Sequence, residues 1–204
     1  MVVIIDYGIG NVGSILNMLK HIGKAATISS DPEVIGNGNK LILPGVGAFD
    51  TGMRNLGDRQ LVNLLNKVVV EDKKPILGIC LGMQILGTGS EEGELPGLGW
   101  INFSNVKFRH ERGSELKLPH MGWNLVGMQK KSPLLEGLDE KTRFYFVHSY
   151  HALCLDKSDE LLTTNYGYSF ISAVQKDNIY GVQFHPEKSH KFGMQLLKNF
   201  VERC

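Results

Sequence analysis

The 204-residue sequence predicts an α/β fold: an open, mostly parallel, doubly wound sheet with helices on both faces, plus a small antiparallel strand region in the second half. Three observations predict it. Short apolar runs, the first strongly β-branched, alternate with amphipathic segments through the first 90 residues, the rhythm of helical crossovers between parallel strands. Glycine-rich turns stand at the ends of the strand-like runs, where open sheets place their reactive groups. After residue 95 the rhythm gives way to shorter strands with polar joints.

The elements follow in order. VVIID (2–6) is a β-branched strand and YGIGNVG (7–13) a glycine-rich turn. Val12, Ile15, Leu16, Leu19 and Ile22 repeat at helical spacing, with Gly23 as the stop. AATIS (25–29) and KLILPG (40–45) are the second and third strands. Leu61, Leu64, Leu65, Val68 and Val69 mark a helix, PILGIC (75–80) a fourth strand, and LGMQILG opens another helix. LGWI, NVKFR, WNLVGM, RFYFVHS and LLTTNYG read as shorter strands, and 169–184 as two strands turned at Lys176-Asp177-Asn178. Phe192, Leu196, Leu197 and Phe200 share one face of a final helix. No repeat or linker divides the chain, so a single domain over 1–204 is expected.

Composition narrows the function. With 42% hydrophobic and 21% charged residues the chain has the profile of an ordinary globule. A formal net charge of +1 without blocks of like charge gives no footprint for nucleic acid or an anionic membrane. MVVIID lacks the basic start of a signal peptide, and no apolar run approaches the ~20 residues of a membrane span. Three scattered cysteines, Cys80, Cys154 and Cys204, suit neither a disulfide framework nor zinc and fit a reducing cytoplasm.

One cysteine has a chemical setting. Gly78-Ile79-Cys80-Leu81-Gly82 has the form G-x-C-x-G at a strand end, the thiol counterpart of the G-x-S-x-G nucleophile elbow. Bulky neighbours would clash in so sharp a turn, which explains the glycines. A helix beginning there aims unpaired N–H groups and its positive end at the sulfur, favouring thiolate. The Leu81 N–H is one donor for an oxyanion. A free cysteine is also commonly a small buried hydrophobe, and Cys154 and Cys204 have no feature against that reading. A thiol nucleophile needs a base. His185 follows the strand-like YGVQF, and Pro186 stops the strand and sets Glu187 two residues on, where a carboxylate can hold one imidazole nitrogen. A second oxyanion donor is expected from Val46 or Gly47 in the turn after LILPG.

ILPGVGAF, GICLGMQ and VQFHPE together resemble the three signatures of the class I (triad) glutamine amidotransferases. DYGIGN, SEEG, PHMGWN, YFVHSYH and FHPEKS extend the resemblance, in order, to the glutaminase subunits of histidine biosynthesis, over essentially the whole chain. The resemblance implies glutamine hydrolysis by a Cys80–His185–Glu187 triad without a cofactor, with Val46, Gly47 and Leu81 around the oxyanion. It implies glutamine contacts from Gly47, Gln84, Glu92, His148, Ser149 and Tyr150. It also implies a heterodimer with a (β/α)₈ barrel synthase that receives the ammonia. Such a barrel typically needs ~250 residues, so a separate chain is expected. Asn11, Met121, Trp123, Tyr145 and Lys188 lie in segments the family places near that interface. Paralogues that feed ammonia to a sugar-amidinating barrel share the resemblance.

Rival readings exist. Gly8-Ile9-Gly10-Asn11-Val12-Gly13 is a literal G-x-G-x-x-G, with Asp31 near the place of a ribose-binding acid. That would be a dinucleotide site, but the motif alone is weak and no second nucleotide half follows. A binding module that has lost its nucleophile is disfavoured by the presence of Cys80, His185 and Glu187. A metal site from His148, His151 and His185 is disfavoured because strand positions 148 and 151 should point to opposite faces.

Overall fold

The computed structural model describes residues 1–109 and 117–204. The strands are β1 (Val2–Ile5), β2 (Ala26–Ser29), β3 (Lys40–Gly45), β4 (Ile76–Cys80), β5 (Gly89–Ser90), β6 (Phe103–Lys107), β7 (His120–Leu125), β8 (Gly127–Met128), β9 (Arg143–His148), β10 (Tyr150–Cys154), β11 (Glu160–Tyr166), β12 (Tyr168–Lys176) and β13 (Ile179–Val182). The helices are α1 (Val12–His21), α2 (Pro32–Gly36), α3 (Phe49–Asp58), α4 (Leu61–Leu65), α5 (Leu81–Gln84) and α6 (His190–Arg203).

The large sheet runs β2-β1-β3-β4-β13-β12-β10-β6-β5, with β11 and β8 attached beside β12. Its first five strands are parallel. From β12 onward the pairing is antiparallel until the short β5 joins β6 in parallel. A separate two-stranded antiparallel sheet joins β7 to β9. Alternation along the central strands builds two cores. Ile4, Ile42 and Leu77 pack with Ile15 and Leu19 of α1 and Leu196, Leu197 and Phe200 of α6. Val3, Ile5, Leu41, Leu43 and Ile76 pack with Ile35, Phe49, Leu56, Leu61 and Leu65 of the helices on the other face. The doubly wound α/β expectation is thereby met.

Three sequence expectations need correction, and one helix was not expected at all. The helix over 61–69 is α-helical only to Leu65 and continues as a wider π-helical segment over Asn66–Glu71. LGWI is a loop, not a strand: Leu98, Gly99 and Trp100 donate to the Ile85, Gly87 and Leu86 carbonyls, and Gly99 has φ +68°. Helix α5 is one turn long, because the chain turns at Gly87 toward β5. Helix α3 carried no sequence signal, since FDTGMRNLGD holds two glycines. It forms where its Ala48 cap offers no side chain but Glu92 Oε2, 43 residues away, accepts from Phe49 N at 2.8 Å. Among the described residues, no helix is long and apolar enough to cross a membrane.

Register sets the site. β4 lies between β3 and β13, with Gly45 opposite Cys80 and Val182 opposite Ile79. Whatever follows Gly45 and Val182 therefore emerges beside Cys80, at the carboxyl end of the parallel strands.

Candidate active site

Cys80 sits at φ +55° and ψ −112°, a left-handed backbone rarely adopted by a residue with a side chain. The glycines around it are sterically required. A Cβ on Gly78 would meet the Gly82 carbonyl and the Met83 nitrogen, and one on Gly82 would run into the Leu43 carbonyl. These obstacles are backbone atoms and cannot swing aside. They hold the strand–turn–helix junction that the sequence motif predicts.

His185 and Glu187 follow β13. Both side chains are 2% exposed, and His185 Nδ1 is 2.8 Å from Glu187 Oε1. The other ring nitrogen, Nε2, is buried without a nitrogen or oxygen partner. The Cys80 side chain acts on the same imidazole. Burial disfavours a charged His185, but hydrogen bonds to Cys80 and Glu187, with the charges of both, outweigh it and push the imidazole up to about 10.

The same cleft, about 480 Å³, is lined by Val46, Gly47, Cys80, Leu81, Gln84 and Glu92, and across from them by His148, Ser149, Tyr150, His185 and Lys188. Every residue expected at the triad, oxyanion or glutamine positions except Glu187, which stands behind His185, faces this one space. Gly47 has φ +100° with open room around its α-carbon, so the Val46–Gly47 turn is a tight bend on an exposed rim.

The His148 ring is tied down on both sides. Its Nδ1 is 2.7 Å from Tyr150 O and its Nε2 is 2.9 Å from His120 Nδ1. Asn124 Nδ2 approaches His120 Nε2 at 3.2 Å. An amide NH₂ only donates, so His120 Nε2 accepts, His120 Nδ1–H donates to His148, and His148 Nδ1–H donates to Tyr150 O. The chain needs both rings neutral. Burial holds His120 down at about 4 and His148 at about 3.

The expectation that His148 and His151 point to opposite faces is overturned. Both rings pack on Phe108, at 5.2 and 4.8 Å, because Ser149 breaks the chain into β9 and β10 and resets the alternation. Their nitrogens are nonetheless occupied: His151 meets Ala152 O at 3.0 Å and the Tyr168 hydroxyl at 2.9 Å.

The dinucleotide reading fails on geometry. A Cβ at Gly13 would meet nothing within 4 Å, so no close packing requires a third glycine there. Asp31 caps α2 by accepting from Glu33 N at 2.8 Å. Gly8 and Gly10, at φ +91° and +106°, instead lay the loop against Arg59 and against Pro44.

Of the expected partner-facing residues, Met121 and Trp123 are exposed on one face of β7, and Trp123 pairs across the sheet with Tyr145. Lys188 Nζ lies 5.6 Å from the Tyr145 ring centre and also lines the cleft. Asn11 caps α1, accepting from Ser14 N. Sequence reasoning missed Gln183, Tyr7 and His120. Gln183 is fully buried, and its Nε2 reaches the Cys80 sulfur at 3.8 Å. The buried Tyr7 phenol lies by the α-carbon of Gly45, and burial, with the Cys80 charge nearby, raises it. All three stood inside quoted motifs, but which face each side chain takes depends on strand register.

With this elbow cysteine, buried His–Glu pair and cleft on a doubly wound sheet, the chain belongs to the class-I glutamine amidotransferases: residues 3–204 match the family described as "Glutamine amidotransferase class-I". A crystal structure described as that of glutamine amidotransferase superposes with a TM-score of 0.76 at 20% identity, covering 99% of this chain and 98% of that one. More particularly, the chain is 58% identical to "Imidazole glycerol phosphate synthase subunit HisH 2" of Methanococcus maripaludis over all of both chains. It is 56% identical to the subunit HisH 2 of Pseudomonas aeruginosa, covering 99% of each. Subunit HisH 1 of M. maripaludis is 48% identical, again covering 99% of each.

Proposed function

We propose that the chain is a single glutaminase domain, the glutaminase subunit of imidazole glycerol phosphate synthase in histidine biosynthesis. Cys80 attacks the side-chain amide carbonyl of glutamine. His185 takes the thiol proton and returns it to the leaving ammonia, held in orientation by Glu187. Water, deprotonated by His185, then hydrolyses the thioester to glutamate. The Leu81 N–H and the Val46–Gly47 turn receive the oxyanion. Gln84 and Gly47 flank the substrate. The Glu92 carboxylate faces its ammonium, and backbone groups of His148, Ser149 and Tyr150 face its carboxylate. One observation carries this reading: residues from five separate segments converge on the single cleft that contains Cys80.

The ammonia passes to a separate (β/α)₈ barrel subunit, in a cytoplasmic heterodimer that forms imidazole glycerol phosphate and AICAR. Lys188, which lines the cleft, Tyr145 beside it, Trp123 paired with Tyr145 across the small sheet, Met121 on the same strand, and Asn11 at the start of α1 face that partner. In the complex, Cys80→Ala abolishes glutamine-dependent product and leaves ammonium-dependent synthesis intact. Survival of the glutamine-dependent activity overturns the assignment of the nucleophile.

A second reading has one observation in its favour. The relatives at 58% and 56% identity both carry the number 2, and the M. maripaludis protein numbered 1 is less similar than its own number 2. A paralogue that feeds ammonia to a sugar-amidinating barrel in surface-polysaccharide synthesis fits that pattern. Reconstitution with the barrel cyclase of the histidine branch separates the two: glutamine-dependent formation of imidazole glycerol phosphate supports the first, and its absence the second.

A further inference from the structure

We propose that Gln183 is a fourth polar member of the catalytic group: its side-chain N–H holds the Cys80 sulfur toward His185 and stabilises it as thiolate, while Gln84 fixes which way the amide faces. The inference rests on Cys80 being the nucleophile.

Three observations carry it. First, Gln183 is fully buried, so its amide must find partners inside the protein. Second, those partners leave one orientation. Gln84 Nε2 donates to Gln183 Oε1 at 3.1 Å, which turns Gln183 Nε2 toward the sulfur at 3.8 Å. Gln84 is anchored in turn, since its Nε2 also reaches Tyr150 O at 3.3 Å and Asn105 Nδ2 donates to its backbone carbonyl at 2.9 Å. A flipped Gln183 would set two NH₂ groups face to face and leave an amide oxygen against the thiolate. Third, α5 is a single turn, so the helix positive end that would favour a thiolate is short. A hydrogen-bond donor aimed at the sulfur supplies what that turn lacks. The backbone keeps Gln183 in place, its N–H donating to Ser172 O at 2.9 Å one residue beyond β13.

The titratable groups facing the sulfur are Tyr7 from beyond β1 and His185, backed by Glu187, from beyond β13. Glu92, Lys107, His148, Tyr150 and Lys188 stand further around the cleft, and α5 carries none. None of these changes in Gln183→Met, which keeps the side chain's length and removes the donor.

The test reads the sulfur without glutamine. Iodoacetamide alkylation of the isolated chain is followed from about pH 5 to 10 and scored on the Cys80 peptide by mass spectrometry. Peptide scoring matters because Cys154 and Cys204 are also free thiols, although burial pushes Cys154 up to about 12 and raises Cys204. In Gln183→Met the rate near pH 7 falls about tenfold and the high-pH plateau is unchanged, as expected for loss of a donor to a charged sulfur. Gln84→Met, which frees the amide to turn, gives a smaller fall of the same form and carries the test alone should Gln183→Met not fold. A profile that superimposes on the wild type overturns the proposal even if glutaminase activity drops, because a packing role would leave the sulfur's titration in place. Failure of the nucleophile assignment is seen separately, in Cys80→Ala.

Discussion

The two walls of the cleft are built by different physics. The Cys80 wall, β3–β4–α5, is held by close approach of the main chain: at Gly78 and Gly82 another main-chain atom occupies the space of a side chain, and at Gly45 the Gly82 nitrogen and the Tyr7 phenol do. The wall carrying His185 and the 148–150 segment is held by side-chain hydrogen bonds, from Asn124 through His120 and His148 to Tyr150 O, and from His185 to Glu187. Steric walls tolerate no volume change. Polar walls tolerate changes that keep the donors and acceptors matched, and they respond to pH.

The largest effect should come from breaking the steric wall. Gly82→Ala drives a methyl into the Leu43 carbonyl, and α5 has to move off β3. We expect a loss of about 3 kcal/mol in urea unfolding, together with loss of glutaminase activity. Gly13→Ala is the matched control: it sits in α1 with nothing near the added methyl and should gain about 0.5–1 kcal/mol. Equal effects at the two glycines would remove the contrast between close approach and ordinary helix.

The polar wall should show itself in pH. The folded-state value of His185 is raised to about 10 against an ordinary 6.5. Its contribution is therefore full below pH 6.5 and lost as pH rises toward 10. His120 and His148 are depressed to about 4 and 3, so theirs is present above 6.5 and lost as pH falls toward those values. Urea unfolding should give a maximum near pH 6.5 and a decline as pH rises toward 10. In Cys80→Ala the alkaline decline should shrink, since the sulfur's hydrogen bond and charge help raise His185. An identical decline in both proteins would mean that another group titrates there.

The same contrast decides what was legible in the sequence. Cys80 was readable because Gly78 and Gly82 write its steric demands within five residues. His185 and Glu187 were readable because Pro186 fixes their separation. Gln183 lay in the quoted VQFHPE, yet its orientation toward the sulfur exists only once β13 lies beside β4. His120 lay in PHMGWN, but its partners are 4 and 28 residues away. Helix α3 was invisible because its cap comes from Glu92. The facing of His148 and His151 was misread because a period of two assumes an unbroken strand, and Ser149 breaks it.

The smallest expected effect probes how far the polar wall reaches toward the substrate. His120 is stacked between Tyr166 at 4.1 Å and Phe146 at 4.7 Å, so His120→Phe keeps the stack and removes both nitrogens. His148 Nε2 then loses its donor inside the protein, at about 1 kcal/mol, and its ring is no longer held in the tautomer that donates to Tyr150 O. If backbone groups of 148–150 hold the glutamine carboxylate, the KM for glutamine rises about tenfold with kcat little changed, because Cys80 and His185 are untouched. β7 also carries the exposed Met121 and Trp123, and it pairs with β9, which leads into the 148–150 segment. A fall in kcat at constant KM would place the influence of His120 on the triad and show that the two walls are coupled.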